Sequence, residues 1–329
     1  MKLTYDDIRR FAFGVEYTEE KDGKVIFSRF TKQQRDTLTY GFGKSFLTAG
    51  VRLEFETDSS KIKIETSVDD SNYEKRTFYS FDIFCNGLEL GHIKNFNKEP
   101  VYPYKKYFNK DRSKAFRLPH GLNRICIYFP WSVQGMIRGI YIDDGAVIQP
   151  VIKNKKILMF GDSITQGYDA AYPSNSYAAR LADLLDADAI NKGIGGSVFI
   201  PKLAKERENF TPDIITVAYG TNDWNGSEFD DFKNRCNLFY GNLKDNYPDT
   251  PIFAISPIWR FDAEEPRHID SFGDVSTVIK ETADKYDNIT FIDGINFIPQ
   301  NREYYRDLYL HPNDKGFDFY IKALSAFLR

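Results

Sequence analysis

A serine at the end of an apolar run is the first candidate for chemistry in this chain. Ser163 follows Gly161 and Asp162, directly behind Ile157-Leu158-Met159-Phe160. A strand that ends in Gly-Asp-Ser delivers a hydroxyl to the carboxyl edge of a sheet, where open α/β sheets bind ligands. Such a hydroxyl is inert near neutral pH unless a base takes its proton as it attacks. Of the four histidines, His92 and His120 lie in the first half and His268 in the charged loop Glu264-Glu265-Pro266-Arg267. His311 precedes Pro312, with Asn313 and Asp314 opening the last helix. Because proline is favoured in a first helical turn, this imidazole is expected at a fixed helix entrance, as the base.

A tetrahedral oxyanion needs preorganised donors, each contributing roughly 3 kcal/mol of transition-state stabilisation. The backbone N–H of Ser163 is one candidate. Gly196, in Asn191-Lys192-Gly193-Ile194-Gly195-Gly196, can present its N–H with no Cβ in the way. Asn222, in Gly220-Thr221-Asn222-Asp223, can offer its side-chain amide. The next helix is expected only near Ser227, which argues against a pure capping role for Asn222. These features suit acyl transfer from an ester through a serine nucleophile.

Other chemistries find no footing. The chain has no Gly-x-Ser-x-Gly elbow, and no His-Glu-x-x-His, Cys-x-x-Cys, P-loop or dinucleotide fingerprint. No cofactor and no metal are expected. Lys and Arg number 44 against 47 Asp and Glu, a net charge of −3, so no nucleic-acid partner is expected. No run approaches membrane-spanning length, so no membrane partner is expected either. Three scattered cysteines, Cys85, Cys126 and Cys236, argue against a disulfide framework, and the first residues hold no apolar stretch of signal-peptide length. The expected compartment is cytoplasmic.

The elements that must position these residues divide the 329-residue chain in two. Residues 1–150 read as an antiparallel β-sandwich. Alternation at 51–56 and 61–66 around Asp58-Ser59-Ser60 predicts a half-buried hairpin. Further strands are expected at 77–85 and 88–93, joined by an Asn86-Gly87 turn, and at 124–129 and 136–142. From about Pro150 the texture changes, with the boundary in the 143–154 stretch. Strand-like runs at 156–160, 187–191, 213–219, 251–256 and 288–292 alternate with helical segments near 176–185, 228–246, 275–286 and 314–328. Such alternation specifies a parallel sheet covered on both faces across 151–329.

The four blocks, in this order, resemble those of the SGNH (GDSL) hydrolase family. Position by position they are Ser163 in Gly-Asp-Ser, Gly196 in Asn-x-Gly-Ile-Gly-Gly, Asn222 in Gly-Thr-Asn-Asp and His311 in His-Pro-Asn. The resemblance implies a flavodoxin-like three-layer α/β/α domain that hydrolyses acyl or acetyl esters through an acyl-enzyme. The family places an aspartate three residues before the histidine, where this chain has Leu308, and Asp307 lies one residue further back. Either a local bulge lets Asp307 orient His311, or a backbone carbonyl does so within a Ser–His dyad, which is the favoured reading. The two-part organisation is also similar to carbohydrate esterase family 2, in which a jelly-roll domain precedes the SGNH domain. That likeness implies a sugar or oligosaccharide ester as substrate, with Trp224 and Trp259 as candidates to stack on it. The competing readings are a lysophospholipase or thioesterase, its longer acyl pocket lined by Val198, Phe199 and Ile200, and a non-catalytic carbohydrate-binding protein.

Overall fold

The computed structural model describes residues 1–38, 41–69, 75–108 and 111–328. In the C-terminal half a parallel sheet runs in the order Ala187–Asn191, Lys155–Gly161, Ile214–Ala218, Ile252–Ile255, Ile289–Ile292. Because the strand that enters first lies second, its carboxyl end sits where the winding direction reverses, the crevice that doubly wound sheets use for ligands. Successive residues of that strand serve opposite faces. Leu158 and Phe160 pack with Phe232, Phe239 and Ile279 of helices Phe229–Asn246 and Phe272–Ala283. Ile157 and Met159 pack with Leu181, Phe317 and Leu324 of helices Tyr177–Leu184 and Asp314–Ser325. Apolar residues on both faces give the strand its continuous apolar run.

The N-terminal half forms two antiparallel sheets. One orders Ala12–Phe13, Arg52–Thr57, Asn123–Tyr128, Ser80–Cys85 and Leu88–Lys94, with Ile148–Pro150 also paired to Arg52–Thr57. The other orders Tyr17–Lys21, Lys24–Ser28, Gln134–Tyr141, Lys61–Asp69 and Arg112–Arg117. Leu53, Phe55, Ile83 and Ile127 from the first face Phe27, Ile62, Ile64 and Ile137 from the second across one core. The Asn86-Gly87 turn joins Ser80–Cys85 to Leu88–Lys94, and both turn residues have positive φ (51° and 78°), as a tight hairpin requires.

The expected hairpin at 51–56 and 61–66 does not form, because these strands belong to different sheets. Leu53 and Phe55 reach the core from one side and Ile62 and Ile64 from the other, so crossing satisfies the alternation as well as pairing would. Asp143 fixes the crossing turn by accepting from the backbone N–H of Ser60 at 2.9 Å and from its hydroxyl at 2.6 Å. Short elements without a clear period, such as helix Tyr5–Arg10 and strands Tyr17–Lys21 and Arg112–Arg117, were not foreseen.

The last antiparallel pairing ends at Pro150 and the parallel sheet begins at Lys155. The two halves nevertheless interlock. Phe30 and Leu38 are built into the cluster on one face of the parallel sheet. Phe78, Phe96, Tyr107 and Trp131 are built into the cluster on the other. The three cysteines are free and buried. Among the described residues, no helix is long and apolar enough to cross a membrane.

Candidate active site

Ser163 opens a one-turn helix, Ser163–Gln166, directly after strand Lys155–Gly161. Asp162 caps it by accepting from the Ile164 N–H at 2.9 Å, and Gly167 closes it with a φ of 99°. The turn is tight enough that a Cβ on Gly161 would lie 2.0 Å from Thr165 Oγ1, so only glycine fits there. The serine thus stands at the carboxyl end of the strand where the winding reverses.

His311 Nε2 lies 2.9 Å from Ser163 Oγ, and His311 Nδ1 lies 2.6 Å from Asp307 Oδ2. An ionised carboxylate only accepts, so Nδ1 carries a proton and Nε2 is left to accept from the serine. The dyad favoured on sequence grounds does not describe this geometry, because Asp307 itself contacts the imidazole. The extra residue between them is absorbed at Leu308, which takes the left-handed conformation (φ 66°). That local bulge also lets Asp307 Oδ1 accept from the N–H groups of Tyr309, Leu310 and His311 at 2.9–3.1 Å. Burial alone would raise the Asp307 carboxyl. The hydrogen bond and charge of His311, together with those N–H donors, outweigh burial and hold it at about 2.

His311 is not held by a helix entrance as expected, since the cap of helix Asp314–Ser325 is Asn313 and Pro312 lies before it. Its backbone is fixed by strand-like pairing instead. The Arg306 N–H donates to His311 O at 2.9 Å, the Asn313 N–H donates to Tyr304 O at 2.9 Å, and Tyr305 bridges Pro312.

Gly196 has a φ of 82°, open to glycine and strained for other residues. Asn222 lies in the first turn of a short helix, Thr221–Gly226, which starts six residues earlier than expected. Its Nδ2 donates to Ser197 O at 2.9 Å, which ties the Asn222 block to the Gly196 loop and leaves a second amide hydrogen. A cleft of about 410 Å³ opens here, lined by Gly196, Ser197, Val198, Ile200, Asn222 and Asn225. Phe199 points the other way, into the core.

The two tryptophans part company. Trp224 is fully buried, edge-on to Phe272 and flanked by the guanidinium groups of Arg260 and Arg267, so it cannot stack on a ligand. It anchors helix Thr221–Gly226 from below. Trp259 is half-buried and packs edge-on to Phe261 at 4.3 Å.

Several surrounding groups carried no motif. Tyr168 lies over His311, with ring centroids 5.3 Å apart. Gln166 accepts from the Gly195 N–H at 2.7 Å and donates to Trp131 O at 3.0 Å. Asp169 Oδ2 lies 4.0 Å from His311 Nδ1, and the oxygens of Asp169 and Asp307 with that nitrogen form a cluster of metal-ligand type. Arg76, from the antiparallel half, already pairs with Asp169 at 3.1 and 3.3 Å, and His311 pairs with Asp307, so both carboxylates are neutralised by protein cations or donors. Proximity in sequence to Ser163 could have drawn attention to Gln166, Tyr168 and Asp169. Nothing in the sequence points to Arg76. Below the nucleophile, burial pushes Asp162 up to about 7 and Asp223 up to about 6.

Residues 159–319 match the family model of the GDSL-like lipase/acylhydrolase family. No curated protein sequence matches the chain. Among solved structures it is similar to the salicylyl-acyltransferase SsfX3 of a tetracycline biosynthetic pathway, with a TM-score of 0.80 at 21% identity, over 96% of this chain and 94% of that one. A family two carbohydrate esterase from Cellvibrio japonicus gives 0.67 at 17% identity over 97% and 93%. One from Clostridium thermocellum in complex with cellohexaose gives 0.66 at 16% over 86% and 92%. At such identities these likenesses concern the fold.

Proposed function

We propose that this chain, whose residues 159–319 are a GDSL-like lipase/acylhydrolase domain, is a serine esterase that removes short acyl groups, acetyl foremost, from a carbohydrate. The observation that carries the reading is the continuous line Ser163 Oγ, His311, Asp307, at 2.9 and 2.6 Å. Ser163 Oγ attacks the ester carbonyl carbon while its proton passes to His311 Nε2. The carbonyl oxygen becomes an oxyanion facing the N–H groups of Ser163 and Gly196 and the Asn222 amide. Collapse breaks the bond to the alcohol, which leaves with the proton from His311. Water, deprotonated by the same nitrogen, then attacks the acyl-enzyme, and the acid departs as Ser163 regains its proton. Asp307 stays ionised throughout, keeping the imidazole tautomer and stabilising the imidazolium.

The sugar part of the reading is supported by the two-sheet-plus-parallel-sheet layout shared with family two carbohydrate esterases, one of them solved with cellohexaose. Eight strands from Lys24–Ser28 to Gln134–Tyr141 are dealt four and four to the two sheets, which supports a jelly-roll-like domain at 1–150. The strand order of the parallel sheet supports a flavodoxin-like domain at 151–329. Three free thiols are in keeping with a cytoplasmic setting.

A second reading, a longer-chain acyl hydrolase, is favoured by one observation: the cleft beside Gly196 and Asn222 is lined by Val198 and Ile200 and exceeds what an acetyl group needs. Hydrolysis of p-nitrophenyl acetate, butyrate and octanoate, with an acetylated cello-oligosaccharide alongside, separates the two. A steep fall beyond acetate with release of acetate from the oligosaccharide is expected. A rise toward octanoate would give the second reading precedence, and no turnover of any ester would remove both.

A further inference from the structure

The glycine loop that carries Gly196 is gripped from the antiparallel half, and its hydrogen bonds leave one donor over. The N–H of Lys192 goes to Met159 O at 2.7 Å and that of Ile194 to Gly161 O at 3.0 Å. Gly193 N–H goes to Asn191 Oδ1 at 2.8 Å, Gly195 N–H to Gln166 Oε1 at 2.7 Å, and Ser197 N–H to Ile194 O at 3.0 Å. Among the described residues, only the N–H of Gly196 in this run finds no acceptor in the protein. On the carbonyl side, Arg29 donates to Asn191 O and to Gly193 O, the latter at 3.1 Å. Lys44 Nζ donates to Gly195 O at 2.9 Å.

Gly195 O and the Gly196 N–H belong to the same peptide unit. A trans peptide is planar, with its C=O and N–H pointing to opposite sides. A cation fixed on the oxygen therefore sets the direction of the hydrogen, and its charge draws electron density so that the N–H donates more strongly. Lys44 is itself held in place. Its ammonium also donates to Tyr168 OH at 2.8 Å and lies over that ring at 5.3 Å, and its backbone carbonyl accepts from Arg29 Nη2 at 3.2 Å. Side chains at positions 193 and 195 would collide with Gln166 N at 2.5 Å and with the Tyr168 ring at 2.5–2.6 Å, so the loop has no room to choose another path.

We infer that Lys44 is a positioning residue for the oxyanion donor Gly196, so that the antiparallel half takes part in the chemistry of the other half. The inference rests on the esterase reading above. Its test compares wild type with Lys44→Met, Lys44→Gln and Lys44→Arg in p-nitrophenyl acetate hydrolysis. A boronic acid that forms a tetrahedral adduct on Ser163 measures oxyanion binding in the same four proteins. Deleting an oxyanion donor outright costs roughly 100- to 1000-fold, and misaligning one should cost less, about 10-fold in kcat for Lys44→Met. KM should hold, boronate affinity should fall by the same factor, and Lys44→Arg should restore most of both.

Unchanged kcat, a change confined to KM, or lost kcat with boronate affinity intact would each overturn the inference. Should Lys44→Met fail to fold, Lys44→Gln decides: with a neutral donor it must show a smaller but parallel loss in kcat and boronate affinity. An inactive wild type would overturn the esterase reading and this inference with it. An active wild type indifferent to Lys44 would overturn the inference alone.

Discussion

The parallel-sheet half and the antiparallel half divide the work unequally. Every group proposed to touch substrate, Ser163, Gly196, Asn222 and His311, lies in the parallel-sheet half, in a loop or short helix that follows one of its strands. The antiparallel half sends cations across the seam to backbone carbonyls and carboxylates. Arg29 reaches Asn191 and Gly193, Lys44 reaches Gly195, Arg76 reaches Asp169, and Arg52 reaches Asp183 and Ala187. A buried cluster adds to the seam, with Lys192 2.7 Å from Glu16, 3.1 Å from Glu208 and 2.8 Å from Gln34. The comparison teaches that reactive groups can be confined to one half while their geometry is decided by both.

The sharpest break in that comparison would come from Ser163→Ala. Loss of a serine nucleophile costs on the order of a million-fold in kcat, so acetate ester hydrolysis should fall to background. Turnover that survives would place the chemistry outside the parallel sheet's edge. Next comes Asp307→Asn, which keeps the shape but disturbs the imidazole tautomer and should lower kcat by about 10,000-fold with KM little changed. A loss under about 10-fold would return His311 to the backbone-oriented dyad.

For the other half, the largest effect expected is on stability. Arg29 is fully buried, and Arg29→Met would leave the carbonyls of Leu47, Asn191 and Gly193 unpaired. At about 1 kcal/mol for each orphaned carbonyl, urea denaturation should report a loss of roughly 3 kcal/mol. A neutral result would mean that Arg29 adds nothing to the stability of the seam.

The last effect concerns pH. Burial raises Asp162 to about 7, so between its unfolded value near 4 and that point the folded state holds a proton that the unfolded chain has lost. Stability should therefore fall as pH rises through that window, by up to about 4 kcal/mol at roughly 1.4 kcal/mol per unit, and level off above it. Asp162→Asn keeps the cap on Ile164 and should flatten the fall, read from thermal melts at pH 4 to 8. Asp307 has the opposite sign: its contribution is present above about pH 4 and disappears as pH falls toward 2.

Much of this was legible beforehand. Strand Ala187–Asn191 lies where its pattern placed it, and the long helices near 228–246 and 314–328 fall within a few residues of expectation. Their apolar faces repeat locally, and local repeats determine secondary structure. The crossing strands Arg52–Thr57 and Lys61–Asp69 were misread because alternation records which face is buried and says nothing about the partner. Trp224 was misread for a related reason: an aromatic beside a functional block reads the same whether it anchors the block from below or lines it from above.

The sequence by itself determined the four chemical blocks, the parallel sheet that orders them and the change of texture near residue 150, all set by short-range pattern. Tertiary structure alone decided that Asp307 reaches His311 across a left-handed Leu308, and that Arg29, Lys44 and Arg76 serve the other half. These contacts join residues up to 164 positions apart. A lone cation or a single backbone bulge has no period to read, and its role exists only once packing brings its partner within hydrogen-bonding reach.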